Sequence, residues 1–564
     1  MLRHINKTFN TKVSFPILHF NRSFSTRIIG NISEKHLHLF GSKSRDFLSE
    51  LDNKFTNRHH DILNFRKNNI INGYRNDTVK IRNDLNWKAR QPNIDLKCRH
   101  VEITGPADNA KMMINALNSS ADCYMTDVED SMSPSWTNVL NAHNNIFFAM
   151  RGLLQWKKID ENGKVEKEYK LIHEEKNKTP VFFTRLRGLH LFDKGIESGK
   201  TRGEYPSTLT DFGLYMANNA QYLMSGKQYT KGGIYFYIPK IESYEEAQYI
   251  HDVFAFGEEY FNIPMKTIQA TLLIETYPAI YQTEEIIYAL RDYICGLNCG
   301  RWDYLFSLIK NNMNLSIPDR SLLTMDRPFM RAYVEQIVKS THQRGIHAMG
   351  GMSAFIPTGS VEKNEKIRDK IITDKIGEIS LGCDGAWVAH PDLIKTVKDL
   401  FMERLKGKDN QYEKIPHIDF KGDEFLNFGD KLMKMENFTE KEFRNNLNIS
   451  LQYLAGWLHG NGAVALNNLM EDMATCEISL YQIKNWVHNS VPIINVDDDN
   501  TIIDVDLDNF MIYLEEEYML LKSGGGNLQV EYALDKLDLA KECICEYVLN
   551  LDKKFLPDVA YKYL

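Results

Sequence analysis

Residues 271–297 read TLLIETYPAIYQTEEIIYALRDYICGL, and this stretch decides the fold. An apolar run at 271–274 is followed by an amphipathic segment of helix length at 283–292 and by a second apolar run at 293–297. The two short runs carry the β-branched and aromatic residues that favour strands, whereas the longer middle segment has helical periodicity. A strand, a helix and a second strand in this order predict two parallel strands of one sheet.

The same alternation begins near residue 100 and continues to residue 405. Eight strands with intervening helices over about 300 residues predict an α/β fold, a (β/α)8 barrel of the TIM type. This prediction rests on counting elements, because the sequence shows no internal repeat. The predicted strands are 101–104, 123–126, 181–184, 235–238, 271–274, 293–297, 346–349 and 385–388. The predicted helices are 107–117, 244–260, 283–292, 331–343, 364–379 and 392–405.

The remainder of the chain has a different pattern. Residues 34–99 predict an N-terminal helical segment packed on the barrel, and helical periodicity returns beyond residue 410. The C-terminal helices are predicted at 443–458, 474–488, 506–522 and 534–551. The predicted organisation is an N-terminal extension (1–33), a helical segment (34–99), the barrel (100–410) and a C-terminal helical domain (411–564).

Composition narrows the class of protein. The chain has 564 residues, 43% of them apolar, which is typical of a protein with a large buried core. A net charge of −7 and the lack of an extended basic face give no indication of nucleic-acid binding. No apolar run is long enough to span a bilayer. The eight cysteines lack zinc-site spacing and are interpreted as reduced thiols.

The first 33 residues resemble a targeting segment, since they carry several Arg and Lys and no acidic residue. Arg22-Ser23-Phe24-Ser25 resembles a mitochondrial processing site, so the mitochondrial matrix is the preferred compartment. Lys12-Val13 followed by His19-Phe20 resembles a peroxisomal signal, which makes a peroxisome or glyoxysome the alternative. A plain tail on a cytoplasmic protein is a third interpretation, and the terminal Lys562-Tyr563-Leu564 is not the Ser-Lys-Leu signal.

A barrel of this type predicts where the chemistry lies, because its catalytic groups follow the strands on the C-terminal face. The residues of this chain that can do chemistry stand at those positions. In strand order from the second to the eighth they are Glu129 and Asp130; Arg185 and Arg187; Pro239, Lys240 and Glu242; Glu275; Arg301 and Asp303; Gly350 and Gly351; His390 and Pro391.

Eight blocks of sequence together resemble the malate synthase family, in the form that lacks a large inserted α/β domain. They occur in the family's order and cover roughly residues 80–560. The blocks are RHVEITGP (99–106), DVEDS (127–131), TRLRGLHL (184–191), LIET (273–276), GLNCGRWDY (296–304), MGGM (349–352), WVAHP (387–391) and NLMEDMAT (468–475).

The resemblance implies a magnesium-dependent acyltransferase that condenses acetyl-coenzyme A with glyoxylate to give malate and coenzyme A, as in a glyoxylate bypass. The family's metal ligands fall on Glu275 and Asp303, and magnesium is usually held by one or two carboxylates together with substrate oxygens and water. Taken singly, each of these acids fits an ordinary salt-bridged residue better than a metal ligand, and only the two together in these blocks favour the ligand interpretation. The oligomeric state is left open.

The family's catalytic base falls on Asp472, which stands at the start of a predicted helix, so its alternative role is a helix N-cap. A base on the C-terminal domain requires that this domain cover the barrel mouth. Arg185 is the expected partner of the enolate oxygen, because a guanidinium remains charged and offers a fork of donors. Arg187 is ranked second as a substrate ligand, with a structural ion pair as its alternative role.

The remaining expected substrate contacts surround the sixth, fourth and eighth strands. Gly300, Arg301 and Trp302 are expected to place backbone amides around the glyoxylate carboxylate, the alternative being a tight turn. An acetyl-coenzyme A channel is expected along Pro239, Trp387, His390 and Pro391, although apolar residues at strand ends are usually core. His390 could equally be a structural histidine.

Two other functions fit parts of the pattern. A barrel enzyme resembling a citryl-coenzyme A lyase would share the magnesium pair and an arginine, but it would not need Asp472 on a separate helical domain. An inactive scaffold would not need Arg185, Glu275, Asp303 and Asp472 together. The sequence therefore favours the condensing enzyme.

Overall fold

A computed structural model describes residues 26–172, 178–495 and 501–564 of the chain. Eight parallel strands close into a barrel, hydrogen-bonded in chain order, so the predicted fold class is confirmed. Each predicted strand is present within a few residues of its expected bounds. The strands are β1 (Val101–Pro106), β2 (Cys123–Asp127), β3 (Val181–Arg185), β4 (Tyr235–Ile238), β5 (Gln269–Ile274), β6 (Ile294–Cys299), β7 (His347–Ser353) and β8 (Gly385–Val388).

The seventh strand corrects one prediction, because Gly350 and Gly351 lie inside β7 and not after it. The register with β8 shifts between Met349 and Met352, across these glycines. A Cβ on Gly350 would lie 2.1 Å from Oε2 of the buried Glu378. The glycines therefore let a side chain of the surrounding helix layer approach the strand.

The barrel interior is packed with side chains. Arg99 is fully buried there, with its Nε 2.6 Å from Glu102 Oε1 and its guanidinium over the Phe183 ring. Tyr237 donates to the same glutamate, which satisfies the buried charge pair. The barrel interior around Arg99 is therefore a filled core, so substrates are expected to bind at the mouth of the barrel, on its C-terminal face.

Helices surround the barrel, and most predicted ones are confirmed. The helix predicted at 107–117 begins later, at Ala110, because the Asn109 side chain caps it by accepting the Met112 N–H at 3.1 Å. The one predicted at 283–292 ends at Ala289. The helices between strands are Ala110–Leu117, Trp136–Met150, Ser207–Tyr215, Gln221–Met224, Tyr244–Tyr260, Tyr277–Ile280, Thr283–Ala289, Arg301–Asn311, Pro328–Arg344, Val361–Leu381 and Ile394–Arg404.

Several elements were not predicted from the sequence. They include the Trp136–Met150, Ser207–Tyr215 and Arg301–Asn311 helices, and a hairpin of Gln155–Ile159 with Val165–Lys170. A small sheet pairs Phe192–Glu197 with two further short strands. Apart from the strand Arg27–Ile28 of the small sheet, these elements lie in the connections after β2, β3 and β6, in parts to which no strand or helix had been assigned.

The N-terminal segment is helical only in part. The long helix Ser42–Asn68 is followed by extended chain, with short helical turns at Val79–Asn83 and Ile94–Leu96. The prediction of a helical 34–99 is therefore wrong beyond residue 68. The helix ends because Asn69 has an extended backbone, with φ of −125° and ψ of 92°.

The C-terminal part covers the barrel mouth. Met473 donates its N–H to the Asp130 carbonyl at 3.2 Å, and Ile356 donates to the Asn468 carbonyl at 2.9 Å. These contacts join the C-terminal helices to the loops that follow β2 and β7. The helices are Glu440–Leu458, Met473–His488, Leu507–Lys522, Leu537–Leu549 and Pro557–Ala560.

The division of the chain into four parts stays a prediction, and its first part falls largely on residues 1–25, outside the described residues. All eight cysteines are free thiols, as the sequence predicts. Within the described ranges, every helix is too short or too polar to cross a membrane.

Candidate active site

A cluster of charged side chains fills the barrel mouth. Arg185, at the end of β3, lies 2.7 Å from Asp130 and 3.6 Å from Glu275. Lys240, after β4, lies 2.8 Å from Asp130 and 3.3 Å from Asp303. These two cations are surrounded by five buried carboxylates, and the seven residues are called the mouth cluster. The carboxylates are Asp127, Glu129, Asp130, Glu275 and Asp303.

Local backbone geometry positions the cluster. The Asp127 carboxylate accepts the N–H groups of Glu129 at 2.8 Å and Ser131 at 3.1 Å, which turns the chain after β2 back across the mouth. Lys240 adopts a left-handed backbone with φ of 53°, which is unusual for a residue with a side chain. Its N–H donates to Glu275 Oε1 at 2.9 Å, so this conformation fixes one of the expected metal ligands.

The mouth cluster has an excess of negative charge. Burial raises the pKa of Glu275 and, more strongly, the pKa values of Glu129 and Asp303. Burial also acts on Asp130, but its ion pairs with Lys240 and Arg185 prevail and lower its pKa. The two cations therefore do not balance the negative charge of the five carboxylates.

The arrangement fits a magnesium ion. Among the described residues, the buried Asp303 Oδ1 and Glu129 Oε1 accept no well-formed hydrogen bond, and their nearest cation is Lys240 Nζ, at 3.3 and 3.1 Å. A hard dication prefers carboxylate oxygens of this kind, and it would relieve the repulsion that raises their pKa values. Glu275 and Asp303, at the ends of neighbouring strands, are thus suited to hold it.

Arg185 has one N–H donor that no described residue accepts. Its guanidinium pairs with Asp130 and with Glu129, yet its Nε is buried without an acceptor among the described residues. Although burial opposes it, the surrounding carboxylates raise the Arg185 pKa, so the side chain remains a cation. A buried, permanently charged donor without an acceptor is suited to a developing oxyanion.

Asp472 has the capping role that the sequence offered as an alternative, together with a raised pKa. It is the N-cap of the Met473–His488 helix, where its Oδ1 accepts the Thr475 N–H at 3.2 Å. Burial, and then the charge of Asp130, raise its pKa to about 7, while Arg185 acts in the opposite direction. The capping bonds of the Asp472 side chain use Oδ1.

Gly300 stands at the start of the Arg301–Asn311 helix, so the first amides of that helix open onto the mouth. A Cβ on Gly300 would lie 2.6 Å from Glu275 Oε2, so no side chain fits there. Asp303 belongs to the first turn of the same helix. The Arg301 guanidinium lies over the Trp302 ring at 4.0 Å.

Arg187 does not join the mouth cluster. It is fully buried on the outer side of the barrel, where Nη1 lies 2.9 Å from Asp193 and Nη2 lies 2.7 Å from Asp211. β3 ends at Arg185, so the alternation of side chains along a strand does not extend to Arg187. The expectation of a substrate ligand is corrected in favour of a structural ion pair.

The expected acetyl-coenzyme A channel is only partly supported. Trp387 is 6% exposed and donates its Nε1–H to Glu102 at 3.0 Å, so it belongs to the barrel core. His390 accepts the Asp392 N–H at 3.2 Å and caps a 3-10 turn that Pro391 begins, which is the structural alternative. Pro239 is buried directly after β4, beside Lys240, and its role stays a prediction.

Lys240 and Glu477 are among the groups near the mouth that had no role assigned from the sequence. Lys240 follows a predicted strand, which was a usable signal, but a lysine there is usually solvated. Glu477, one turn beyond Asp472, has its pKa raised to about 8 by burial and gave no local signal. Both line a small cavity between the barrel and the C-terminal helices, together with Glu129, Asp130, Met132, Pro134, His190, Leu191, Trp457, Met473 and Pro557.

Comparisons with known proteins agree with this geometry. A family profile described as "Malate synthase, TIM barrel domain" matches residues 181–427, and one described as "Malate synthase, C-terminal" matches residues 437–549. The two profiles contain, between them, Arg185, Glu275, Asp303 and Asp472.

Curated relatives cover most of the chain. It is 40% identical to malate synthase A of Escherichia coli over 82% of its length and 85% of that protein. It is 42% identical to malate synthase of Myxococcus xanthus, over 72% of this chain and 71% of the relative. It is 38% identical to the glyoxysomal malate synthase of Candida tropicalis, over 82% of this chain and 83% of the relative. The chain therefore belongs to the malate synthase family, acyltransferases that make malate from acetyl-coenzyme A and glyoxylate.

Proposed function

We propose that the mouth cluster and Asp472 together catalyse condensation of acetyl-coenzyme A with glyoxylate, followed by hydrolysis of the malyl thioester. One observation carries the proposal. Met473, the residue directly after Asp472, donates its N–H to the Asp130 carbonyl at 3.2 Å, and the charges of Asp130 and Arg185 both act on the pKa of the Asp472 carboxyl. The site is therefore complete only when the C-terminal helices cover the barrel.

Asp472 acts as the base. Its carboxylate removes a proton from the acetyl methyl group, and the electron pair left on carbon forms the enolate of the thioester. That carbon attacks the aldehyde carbon of glyoxylate, and the resulting alkoxide takes up a proton. A pKa near 7 makes Asp472 a stronger base than an exposed carboxylate and still leaves it largely ionised above neutral pH.

Arg185 stabilises the charge that develops in this step. Its guanidinium cannot lose its proton at neutral pH, and its free Nε–H offers a donor to the enolate oxygen. The neighbouring carboxylates hold the guanidinium in place before substrate binds. Such pre-positioned donors contribute to catalysis because they need no reorganisation in the transition state.

Glu275 and Asp303 would hold magnesium, which supplies Lewis-acid polarisation of the glyoxylate aldehyde. The amides at the start of the Arg301–Asn311 helix would bind the glyoxylate carboxylate, since a helix N-terminus favours an anion. Water then attacks the malyl thioester, and the thiol of coenzyme A leaves with a proton to give malate.

The rate should depend on pH through Asp472. The base works as a carboxylate, so kcat/KM should fall in proportion to its ionised fraction as the pH drops below about 7. This fall on the acidic side is measured from initial rates at saturating magnesium, over the pH range in which the enzyme is stable. Glu477 titrates nearby, with its pKa raised to about 8, so the Glu477→Gln variant is the control. If that substitution abolishes the acidic limb, Asp472 is not its source.

The magnesium requirement should depend on Glu275 and Asp303. Mutation of a residue that only hydrogen-bonds to a metal ligand lowers metal affinity by about 10- to 100-fold, and loss of a ligand itself should have at least the upper effect. Glu275→Gln or Asp303→Asn should therefore raise the magnesium concentration for half-maximal rate by about 100-fold. Glu284→Gln is a matched control, because this buried acid pairs with Arg344 away from the mouth. It should leave the magnesium requirement unchanged. An unaltered requirement in both ligand variants would refute the assignment.

We infer a peroxisomal or glyoxysomal location. The Candida tropicalis relative is named glyoxysomal, whereas the comparisons give the mitochondrial matrix no support. The N-terminal signals behind both interpretations fall within residues 1–25, outside the described residues. Fractionation of cells expressing the full chain, with peroxisomal and mitochondrial markers, separates the two compartments.

A further inference from the structure

The opposite face of the barrel carries a second group of potential ligands. Cys98 and His100 precede β1, and Asp122 precedes β2, so all three lie at the N-terminal ends of strands. One ligand atom from each residue lies within 4.8 Å of the other two. We propose that Cys98, His100 and Asp122 form a site for a divalent transition-metal ion of the zinc class.

The state of His100 carries the proposal. Its Nε2 lies 3.1 Å from the Lys408 carbonyl, which can only accept, so in the neutral ring Nε2 bears the proton and Nδ1 carries a lone pair. His100 is 4% exposed, and its Nδ1 is buried without a partner among the described residues. A histidine that donates one ring N–H to a carbonyl and leaves the other nitrogen free has the arrangement typical of metal ligands.

The surroundings hold the three residues in place. The His100 ring stacks on Phe401 with 18° between the ring planes. Asp122 accepts Lys398 Nζ at 2.6 Å through Oδ1 and the Val101 N–H at 3.1 Å through Oδ2. Each carboxylate oxygen keeps a second lone pair, so these contacts orient Asp122 without preventing ligation.

The donor set selects the class of ion. A thiolate, an imidazole nitrogen and a carboxylate oxygen suit zinc or a related ion, whereas magnesium prefers oxygen ligands alone. Burial and the charge of Asp122 raise the pKa of the Cys98 thiol to about 11, so the free residue is protonated at neutral pH. Binding would form a sulfur–metal bond and release this proton to solvent.

The position suggests a structural role that is separate from catalysis. The ion would join the segment before β1 to the start of β2, near the seam where β8 pairs with β1. Contacts of Lys398 and Lys408 with Asp122 and His100 extend this junction to the chain after β8. The proposal does not depend on the reaction at the mouth.

Cobalt titration of the full, reduced chain tests the site, with magnesium in excess to occupy the mouth. A thiolate-to-cobalt charge-transfer absorption should appear, and zinc should abolish it by displacement. Residues that only hydrogen-bond to metal ligands contribute about 10- to 100-fold to metal affinity, so loss of a ligand in Cys98→Ser should weaken cobalt binding by about 100-fold or more. Zinc should also raise the unfolding temperature of the wild-type chain, since it binds only the folded form.

Two variants keep the test decisive. Cys545→Ser removes another partly exposed thiol and should retain the absorption. His100→Gln should lose zinc affinity, as measured by competition with a chelator, provided that circular dichroism shows a folded chain. The site is refuted if the wild type gives no charge-transfer absorption, or if the absorption survives in Cys98→Ser.

Discussion

Replacing Asp472 with asparagine should lower kcat by about 10²- to 10⁴-fold, the usual contribution of a positioned base. The KM values for both substrates should change little, because the proton transfer stabilises the transition state and not the bound substrates. Steady-state assay of thiol release from acetyl-coenzyme A, with malate quantified in parallel, measures the effect. Asparagine is also a good N-cap, so the Met473–His488 helix should remain intact.

Asp506 provides a matched control for this substitution. It caps the Leu507–Lys522 helix by accepting the Asn509 N–H at 2.9 Å, in the same way as Asp472 accepts the Thr475 N–H. Asp506→Asn should therefore have wild-type kcat. A loss of similar size in both variants would mean that capping, and not proton abstraction, explains the effect of Asp472.

Replacing Arg185 with lysine should lower kcat by about 10²- to 10³-fold, as expected for loss of one donor to an oxyanion. Lysine keeps the positive charge among the carboxylates, but it cannot reproduce the planar fork of the guanidinium. The loss should appear in kcat and in kcat/KM alike, since the donor acts on charge that develops during the reaction.

Arg187→Lys is the matched control for the arginine. Arg187 is also a buried arginine held by two carboxylates, but they lie outside the mouth. This variant should lower the unfolding temperature and leave kcat per folded molecule nearly unchanged. If Arg187→Lys loses as much kcat as Arg185→Lys, the difference in role between the two arginines is refuted.

The barrel could be predicted because its signal is local and repeated. Each strand is a short buried run, and the polar residues that end it mark the mouth, so the sequence alone is enough to expect Glu275 and Asp303 close together. The elements that were missed lie in long connections, where single helices such as Ser207–Tyr215 have no regular spacing to support them.

Individual side-chain directions were less predictable. Arg187 was expected to bind substrate because strand alternation continued to residue 187 would point it the same way as Arg185. Its partner Asp211 lies on a helix that was not predicted. Trp387 follows the strand pattern, but depth within a barrel depends on register between strands, which one sequence does not show. The structure places its ring against Glu102 and Tyr237 in the interior.

The position of Asp472 came from the family resemblance and not from local pattern. The local pattern predicts an N-cap, and the structure has that cap. The proposed role as a base depends on burial and on the charges of Asp130 and Arg185, which are more than 280 residues away in the sequence. Contacts of this range depend on how the C-terminal helices pack on the barrel.

The most direct test of the proposed reaction is the rate of thiol release from acetyl-coenzyme A by the purified full chain with magnesium, measured with and without glyoxylate. We expect thiol release to require glyoxylate and malate to appear in equal amount. Thiol release without glyoxylate would indicate a simple thioesterase. No release by a folded, magnesium-loaded chain would favour an inactive scaffold, and either result would contradict the proposed reaction.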